Sequence, residues 1–237
     1  MPKEKMSKQP KSGRREPPNL SREAIIALAV ELIDAHGLEN FGIRSVAKSL
    51  GVFPTAIYWH VPSRHALIAG VIAVVLADLV PPMDLPWQKW VRTLFVHYRE
   101  LIRRHPNTAP LIGAQLVSSA NINPELIERT LTKLTEAGFP NEQLVGAYNA
   151  VIGGMVGFVT QEFAMVSADG DLQATIQESV AGLDSQVYPL LADHASSLLN
   201  KAYALRWDNG ILSPLDSGFE IYTDAFIQGL AASVADR

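Results

Sequence analysis

Apolar positions recur along this chain at helical spacing almost from end to end. Ile25, Leu28, Ala29, Leu32 and Ile33 repeat every three to four residues, so the pattern predicts a first helix. Ser21 is its cap and Gly37 its stop, because glycine takes the left-handed C-terminal position without strain. Two short helices follow over 43–50 and 54–60. A longer one runs over 63–80, with Ser63 as cap and Pro81-Pro82 as terminator. Beyond it the spacing predicts helices near 86–105, 108–119, 123–137, 141–166, 171–181, 184–205 and 217–235. Glycine, proline and asparagine mark the joins at 105–107, 138–140, 168–170 and 208–210. No stretch alternates as a strand. The pattern predicts an all-α fold in three parts. These are a polar arm (1–20), a three-helix head containing a helix-turn-helix (21–68) and a helical body (69–237) for ligand binding and dimerisation.

Composition sharpens this picture. The chain has 237 residues, 48% hydrophobic and 19% charged, enough for a substantial core. It has no cysteine, which excludes disulfides and thiolate metal sites. The net charge of −4 is unevenly spread: residues 1–70 hold 10 Lys/Arg and 6 Asp/Glu, and the remainder 10 and 18. A basic head on an acidic body suits a protein whose head alone meets a polyanion. The first residues lack the basic-then-apolar pattern of a secretory signal. The run Ala66 to Ala77, read as the longest charge-free apolar stretch, is too short to span a bilayer. The expectation is a cytoplasmic protein without a membrane partner.

The window Ile43 to Leu67 carries the chemistry. Ala47 is small where a second helix would cross, and Gly51 sits in a turn where a Cβ would be strained. Ile57 follows six residues on as the plug between the two helices. Val46, Leu50 and Val52 complete the buried side. These offsets describe a helix-turn-helix, whose second helix enters the major groove of DNA. Pro54 suits the first turn of that helix. Thr55 can bond a base edge or phosphate, and the Ala56 methyl can meet a thymine methyl. Tyr58 and His60 can bond phosphate oxygens, and Arg44 can reach a guanine. Ser45, Lys48 and Trp59 complete the candidate DNA surface. Arg64 begins the next helix, where a cation and free N–H groups would hold phosphate.

This segment resembles the DNA-binding head of the tetracycline-repressor family. The Leu50-Gly51-Val52 turn, the Tyr58-Trp59-His60-Val61 run and the Ser63-Arg64-His65-Ala66-Leu67 helix start carry the likeness, within residues 21–68. The resemblance implies base contacts near Arg44, Thr55 and Ala56, and phosphate contacts from Tyr58, His60 and Arg64. Phe53 stands where the family often has a small polar residue, and His65 where an acidic one is common. For the body, the resemblance implies that the helix at 63–80 links a ligand pocket to the head. It also implies that two late helices pair with those of a second subunit.

The body's own sequence points the same way. Val145 to Thr160 is apolar nearly all round, with small residues at Gly146, Ala150, Gly153, Gly154 and Gly157, so it must be covered on every side. The last helix offers Phe219, Tyr222, Phe226, Leu230 and Val234 as a second partner face. Polar or adaptable groups among apolar helices are the candidate effector-binding residues. These are Trp90, Leu94, His97, Tyr98 and Leu101 on one helix, with Gln115, Asn149, Met155, Phe158 and Gln161 across from it. The body lacks the histidine and acidic constellation that a magnesium–tetracycline complex would need. An uncharged or weakly polar aromatic or lipid-like effector is expected. No cofactor, metal site or catalytic residue is indicated. A helical small-molecule enzyme is the competing reading, but no HExxH motif or phosphate-binding glycine loop supports it. A scaffold without DNA binding would leave the basic head unexplained. The sequence therefore reads as a ligand-responsive transcriptional regulator, most simply a homodimeric repressor. A small molecule would release it from palindromic double-stranded operator DNA.

Overall fold

The computed structural model describes residues 20–118, 123–164 and 171–235, and every regular element among them is helical. The head comprises α1 (Arg22–His36), α2 (Ile43–Leu50) and α3 (Pro54–Tyr58). Its caps follow the sequence. Ser21 accepts from the Ala24 amide at 3.1 Å, Gly37 has φ 69°, and Gly51 is left-handed at φ 67°. Ile25, Ala29, Ile33, Val46, Ala47 and Ile57 fill the head core. Most of the basic arm lies outside the described residues.

Helix α4 (Arg64–Val75) joins head to body. Ser63 caps it, accepting from the Ala66 amide at 3.0 Å. It ends five residues earlier than the spacing predicts, and residues 76–78 form a turn that leads into Leu79, which is fully buried. Gly70 lets α4 lie directly on α1: a Cβ there would stand 2.9 Å from Ile26 Cγ1, with Ile26 Cδ1 closer still.

The body is built on α5 (Trp87–Arg104) and α8 (Asn141–Glu162), with α6 (Ala109–Ser118), α7 (Pro124–Ala137) and α11 (Asp216–Ala235) around them. Two further helices, α9 (Leu172–Ala181) and α10 (Pro189–Leu198), carry no buried residue. A single helix over 184–205 is not formed. Pro189 starts a new helix at its first turn, and Asn200 takes a left-handed φ of 61° after it. The Asn200 side chain accepts from the Trp207 and Asp208 amides at 3.3 and 3.0 Å, which holds the reversal. Helix α8 ends at Glu162 and not near 166; residues 165–170, including the expected join at 168–170, lie outside the described residues.

Helix α8 is long and apolar enough to cross a membrane by length and composition alone. Residues 143–161 are free of charge, so Ala66 to Ala77 is not the longest such run. Most of α8 is nevertheless uncovered. Ala147, Val151, Met155 and Val159 face inwards, whereas Val145, Gly146, Ala150, Gly153 and Gly157 are exposed.

Candidate nucleic-acid interface and effector site

Helix α3 is positioned by one residue. Ile57 is fully buried in the head core, and the chain either side of it must point away. Three aromatic rings are therefore turned to solvent: Phe53 is 82% exposed, Trp59 89% and Tyr58 50%. Arg44, Lys48 and Thr55 are exposed beside them, and Ala56 and His60 are half-buried. Large exposed rings among cations are costly to leave in water and suit a surface that another molecule covers. Phe53, set aside in the sequence, is part of this surface. Two candidates have further duties. Ser45 closes the start of α2, its Oγ donating to the Gly42 carbonyl at 2.8 Å and accepting from the Gly42 amide at 3.0 Å. This local cap occupies the hydroxyl. Arg64 is exposed, and its Nε donates to the Phe41 carbonyl at 3.4 Å, which ties the start of α4 to the turn before α2.

Head and body meet at a polar joint as well as through α4. Asn107, in the 3₁₀ turn Pro106–Thr108 between α5 and α6, donates to the Ile33 and Asp34 carbonyls at 2.9 and 3.2 Å. These are last-turn carbonyls of α1, and Ile33 also accepts from the Gly37 amide at 2.8 Å. His105 Nδ1 lies 2.8 Å from Asp34 Oδ2. The sequence marked residues 105–107 only as a join.

Within the body, Trp90, Leu94, Tyr98, Leu101 and Met155 are buried. Trp90 Nε1 donates to the Pro81 carbonyl at 3.2 Å, which fixes the turn between α4 and α5. His97 is half-buried, with Nδ1 3.3 Å from the Leu79 carbonyl. Phe158 joins an aromatic cluster with Tyr203, Phe219 and Tyr222. The Gln115 side chain lies outside the described residues. Asn149 and Gln161 do not face this core: both are exposed, on the same side of α8 as Gly153 and Gly157. The phase of an all-apolar helix cannot be read from its pattern, which is why sequence placed them inward.

A buried ionic knot lies nearby. Arg99 Nε and Nη2 donate to the two Glu162 carboxylate oxygens at 2.8 and 2.6 Å. Glu162 also accepts from the Leu215 amide at 2.9 Å, and Arg99 reaches Asp216 at 2.8 Å while covering the Phe219 ring. The first turn of α11 is thereby clamped to α5 and α8. Opposing charge holds the Arg99 guanidinium more firmly protonated, against the effect of its burial.

The aromatic residues foreseen on α11 face inwards as well. Phe219 and Leu230 are buried, and Tyr222 and Phe226 stack against Phe95 and Phe158 of the same subunit. Gly154 permits this approach, since a Cβ there would stand 2.7 Å from the Tyr222 hydroxyl. The opposite edge of α11 is small and apolar: Ile221 is 70% exposed, and Ala225, Gly229 and Ala232 are exposed in line with it. Among the described residues no group of three His, Asp or Glu side chains is placed to hold a metal ion.

A three-helix head with an outward reading helix, joined to an all-helical body, defines a one-component helix-turn-helix regulator. Residues 25–71 match the family described as bacterial regulatory proteins, tetR family. Residues 81–209 match the tetracyclin repressor-like C-terminal domain. The chain belongs to the tetR family, and it is a ligand-responsive, DNA-binding transcriptional regulator. The class D tetracycline repressor protein of Escherichia coli is 25% identical over 214 residues, covering 88% of this chain and 93% of that one. The class A protein from transposon 1721, also of Escherichia coli, is 28% identical over 68% of this chain and 75% of its own. In fold, the chain is similar to ActR of Streptomyces coelicolor in complex with actinorhodin. The TM-score is 0.70 at 20% identity, over 92% of this chain and 98% of that one. BioQ with its double-stranded DNA operator aligns at a TM-score of 0.58 and 24% identity, over 69% and 98% of the two chains.

Proposed function

We propose that the chain is a homodimeric repressor whose paired heads hold a palindromic operator until a small molecule releases them. The arm spans 1–20, the head 21–68 and the body 69–237. The observation that carries the reading is the surface of α3, where exposed Phe53, Tyr58 and Trp59 stand beside Arg44, Lys48 and Thr55 over a fully buried Ile57. In this reading Arg44, Thr55 and Ala56 read base edges, and Lys48, Tyr58, Trp59, His60 and Arg64 set the register on the phosphates. Ser45 acts by holding α2 in place.

One short reading helix touches too few bases, and a two-fold dimer reads two half-sites about 34–36 Å apart. The exposed stripes of α8 (Gly146, Ala150, Gly153, Gly157) and α11 (Ile221, Ala225, Gly229, Ala232) supply the partner surface. Glycines and alanines let helices approach closely, and a four-helix seam between two copies removes both stripes from water. Helices α9 and α10, unburied in one subunit, reach the second copy in the same assembly.

Effector binding in the body acts by population shift. A molecule that prefers mis-spaced heads releases DNA only by as much as it prefers that state, and a full switch needs about 5.5 kcal/mol of preference. The reading assigns no catalytic residue, and it places the protein in the cytoplasm with the DNA.

Fluorescence anisotropy of labelled duplex from upstream of the protein's own gene, against a shuffled duplex over a salt series, tests the reading. Binding to the native duplex at two subunits per site, falling steeply with salt, is the expected result. No binding to either duplex at low salt would overturn it.

A further inference from the structure

Helices α5 and α11 run antiparallel and are laced along one edge by ion pairs. Arg92 pairs with Asp224 at one end. At the other, Arg99 and Arg103 reach Asp216 at 2.8 and 3.5 Å. Midway between them the lacing breaks. Val96 stands on α5 where the spacing calls for a cation, and Glu220 stands on α11 across from it. Among the described residues Glu220 has no ion-pair partner.

The break is a cleft of about 280 Å³, half open to solvent, and buried Phe219 and Thr223 form part of its lining. Thr223 is only 1% exposed, yet its Oγ1 has no hydrogen-bond partner. Other helical threonines of the body turn the hydroxyl back onto the carbonyl one turn earlier: Thr93 onto Lys89 at 2.8 Å, Thr130 onto Leu126 at 2.6 Å and Thr132 onto Glu128 at 2.8 Å. Thr223 does not, and a buried hydroxyl without a partner costs stability. The cleft is also separate from the partner surface proposed above, since Ile221, Ala225 and Gly229 are exposed along another edge of α11. Charge selects the occupant. Counting the cleft's own charges with their ion partners, three guanidiniums meet five carboxylates. Each guanidinium is already paired, so an anion would find no free cation and would add to the excess.

We propose that this cleft is a binding site for a small organic ammonium ion with an apolar group, held between Glu220 and Thr223. The site is apart from the inner faces of α5 and α8, and the inference goes beyond the regulatory reading, since it needs only the folded body. An ammonium carries three donors and no acceptor, so it serves the Glu220 carboxylate and the Thr223 Oγ1 together. It supplies the cation that Val96 leaves out of the lacing. An exposed carboxylate alone holds a cation weakly in water. The apolar group therefore matters: it covers Val96, which is 40% exposed, and lies against Phe219, while the Thr223 hydroxyl gains the partner it lacks.

The test titrates the full-length protein with 2-phenylethylammonium, and with phenylacetate and 2-phenylethanol as anionic and neutral counterparts of similar shape, by ligand-observed NMR. The parent is compared with Glu220→Gln, Thr223→Val and Val96→Arg, and each protein is also melted. The ammonium is expected to bind the parent with a Kd below about 1 mM, weakening as salt is added, and the two counterparts at least about tenfold more weakly. Glu220→Gln, at an exposed position, keeps the fold and lowers affinity about tenfold. Thr223→Val does the same and melts at the parent temperature or above it, because the hydroxyl it removes was unmet. Val96→Arg completes the lacing with a built-in cation and abolishes binding. Absence of ammonium binding in the parent overturns the proposal. So does equal binding of phenylacetate or 2-phenylethanol, and so does an affinity unmoved by Glu220→Gln or Val96→Arg. A Thr223→Val variant that melts several degrees lower would mean that the hydroxyl bonds within the protein, and would overturn it too.

Discussion

At the scale of single residues, Glu162 carries the most. It is fully buried, takes both donors of Arg99 and accepts the Leu215 amide as well. Such a pair offers little over a well-packed apolar alternative, but breaking it leaves a buried charge unmatched. Glu162→Gln keeps the shape and removes the charge, so Arg99 retains only exposed Asp216. The expected loss is about 3 kcal/mol of unfolding free energy, read from urea denaturation. A loss below about 1 kcal/mol would show that the knot contributes only geometry. On the head surface, the role proposed for each residue predicts its phenotype. His60→Ala or Arg64→Ala should weaken native and shuffled duplexes alike and lower the salt slope by about one, whereas Thr55→Ala or Arg44→Ala should change sequence preference. Anisotropy on both duplexes measures this, and equal losses on both for all four variants would remove the division of labour.

At the scale of elements, the sequence was most legible where structure is local. Caps at Ser21 and Ser63, the Gly51 turn and the buried Ile57 all follow from residues within a few positions of one another. Hence the head and its candidate surface could be drawn from sequence, while Ser45's hydroxyl proved to be occupied by its own helix start. What sequence could not supply was phase and distance. Helix α8 is apolar on every side, so nothing in its pattern says that Asn149 and Gln161 point outwards. Arg99, Glu162 and Leu215 are far apart in the chain and meet only through the fold. The same holds for the joint between α1 and the α5–α6 corner. Asn107 supplies two hydrogen bonds to last-turn carbonyls of α1, in parallel with the covalent route through α4. Asn107→Ala should cost about 1–2 kcal/mol and lower the melting temperature by about 2–8 °C. It should also speed amide hydrogen exchange in the last turn of α1, with α5 unchanged. Unchanged exchange in α1 would mean that α4 alone couples the head to the body.

At the scale of the whole molecule, the proposed assembly rests on the covered and uncovered faces of α8 and α11. Each helix spends its large residues inside the subunit: Met155 and Phe158 on α8, and Phe219, Tyr222 and Phe226 on α11. The outward stripes are mainly glycine, alanine, Val145 and Ile221, with Asn149 and Gln161 on the α8 side, and their apolar part is poorly suited to water. A two-fold partner satisfies both stripes at once, and it also fixes the distance between the two heads. Assembly and operator reading are therefore one property. Ala225→Arg places a charge at the middle of the α11 stripe while leaving the inward face, and so the fold of the subunit, untouched. Sedimentation velocity should show dimers for the parent and monomers for the variant, with helical circular dichroism unchanged. Specific operator affinity should fall by at least about a thousandfold, towards the level of non-specific binding, because a lone head retains its phosphate contacts but loses the second half-site. A variant that becomes monomeric yet keeps native operator affinity would separate the two properties. A variant that stays dimeric would move the interface away from this stripe and leave α9 and α10 as the surface that joins the subunits.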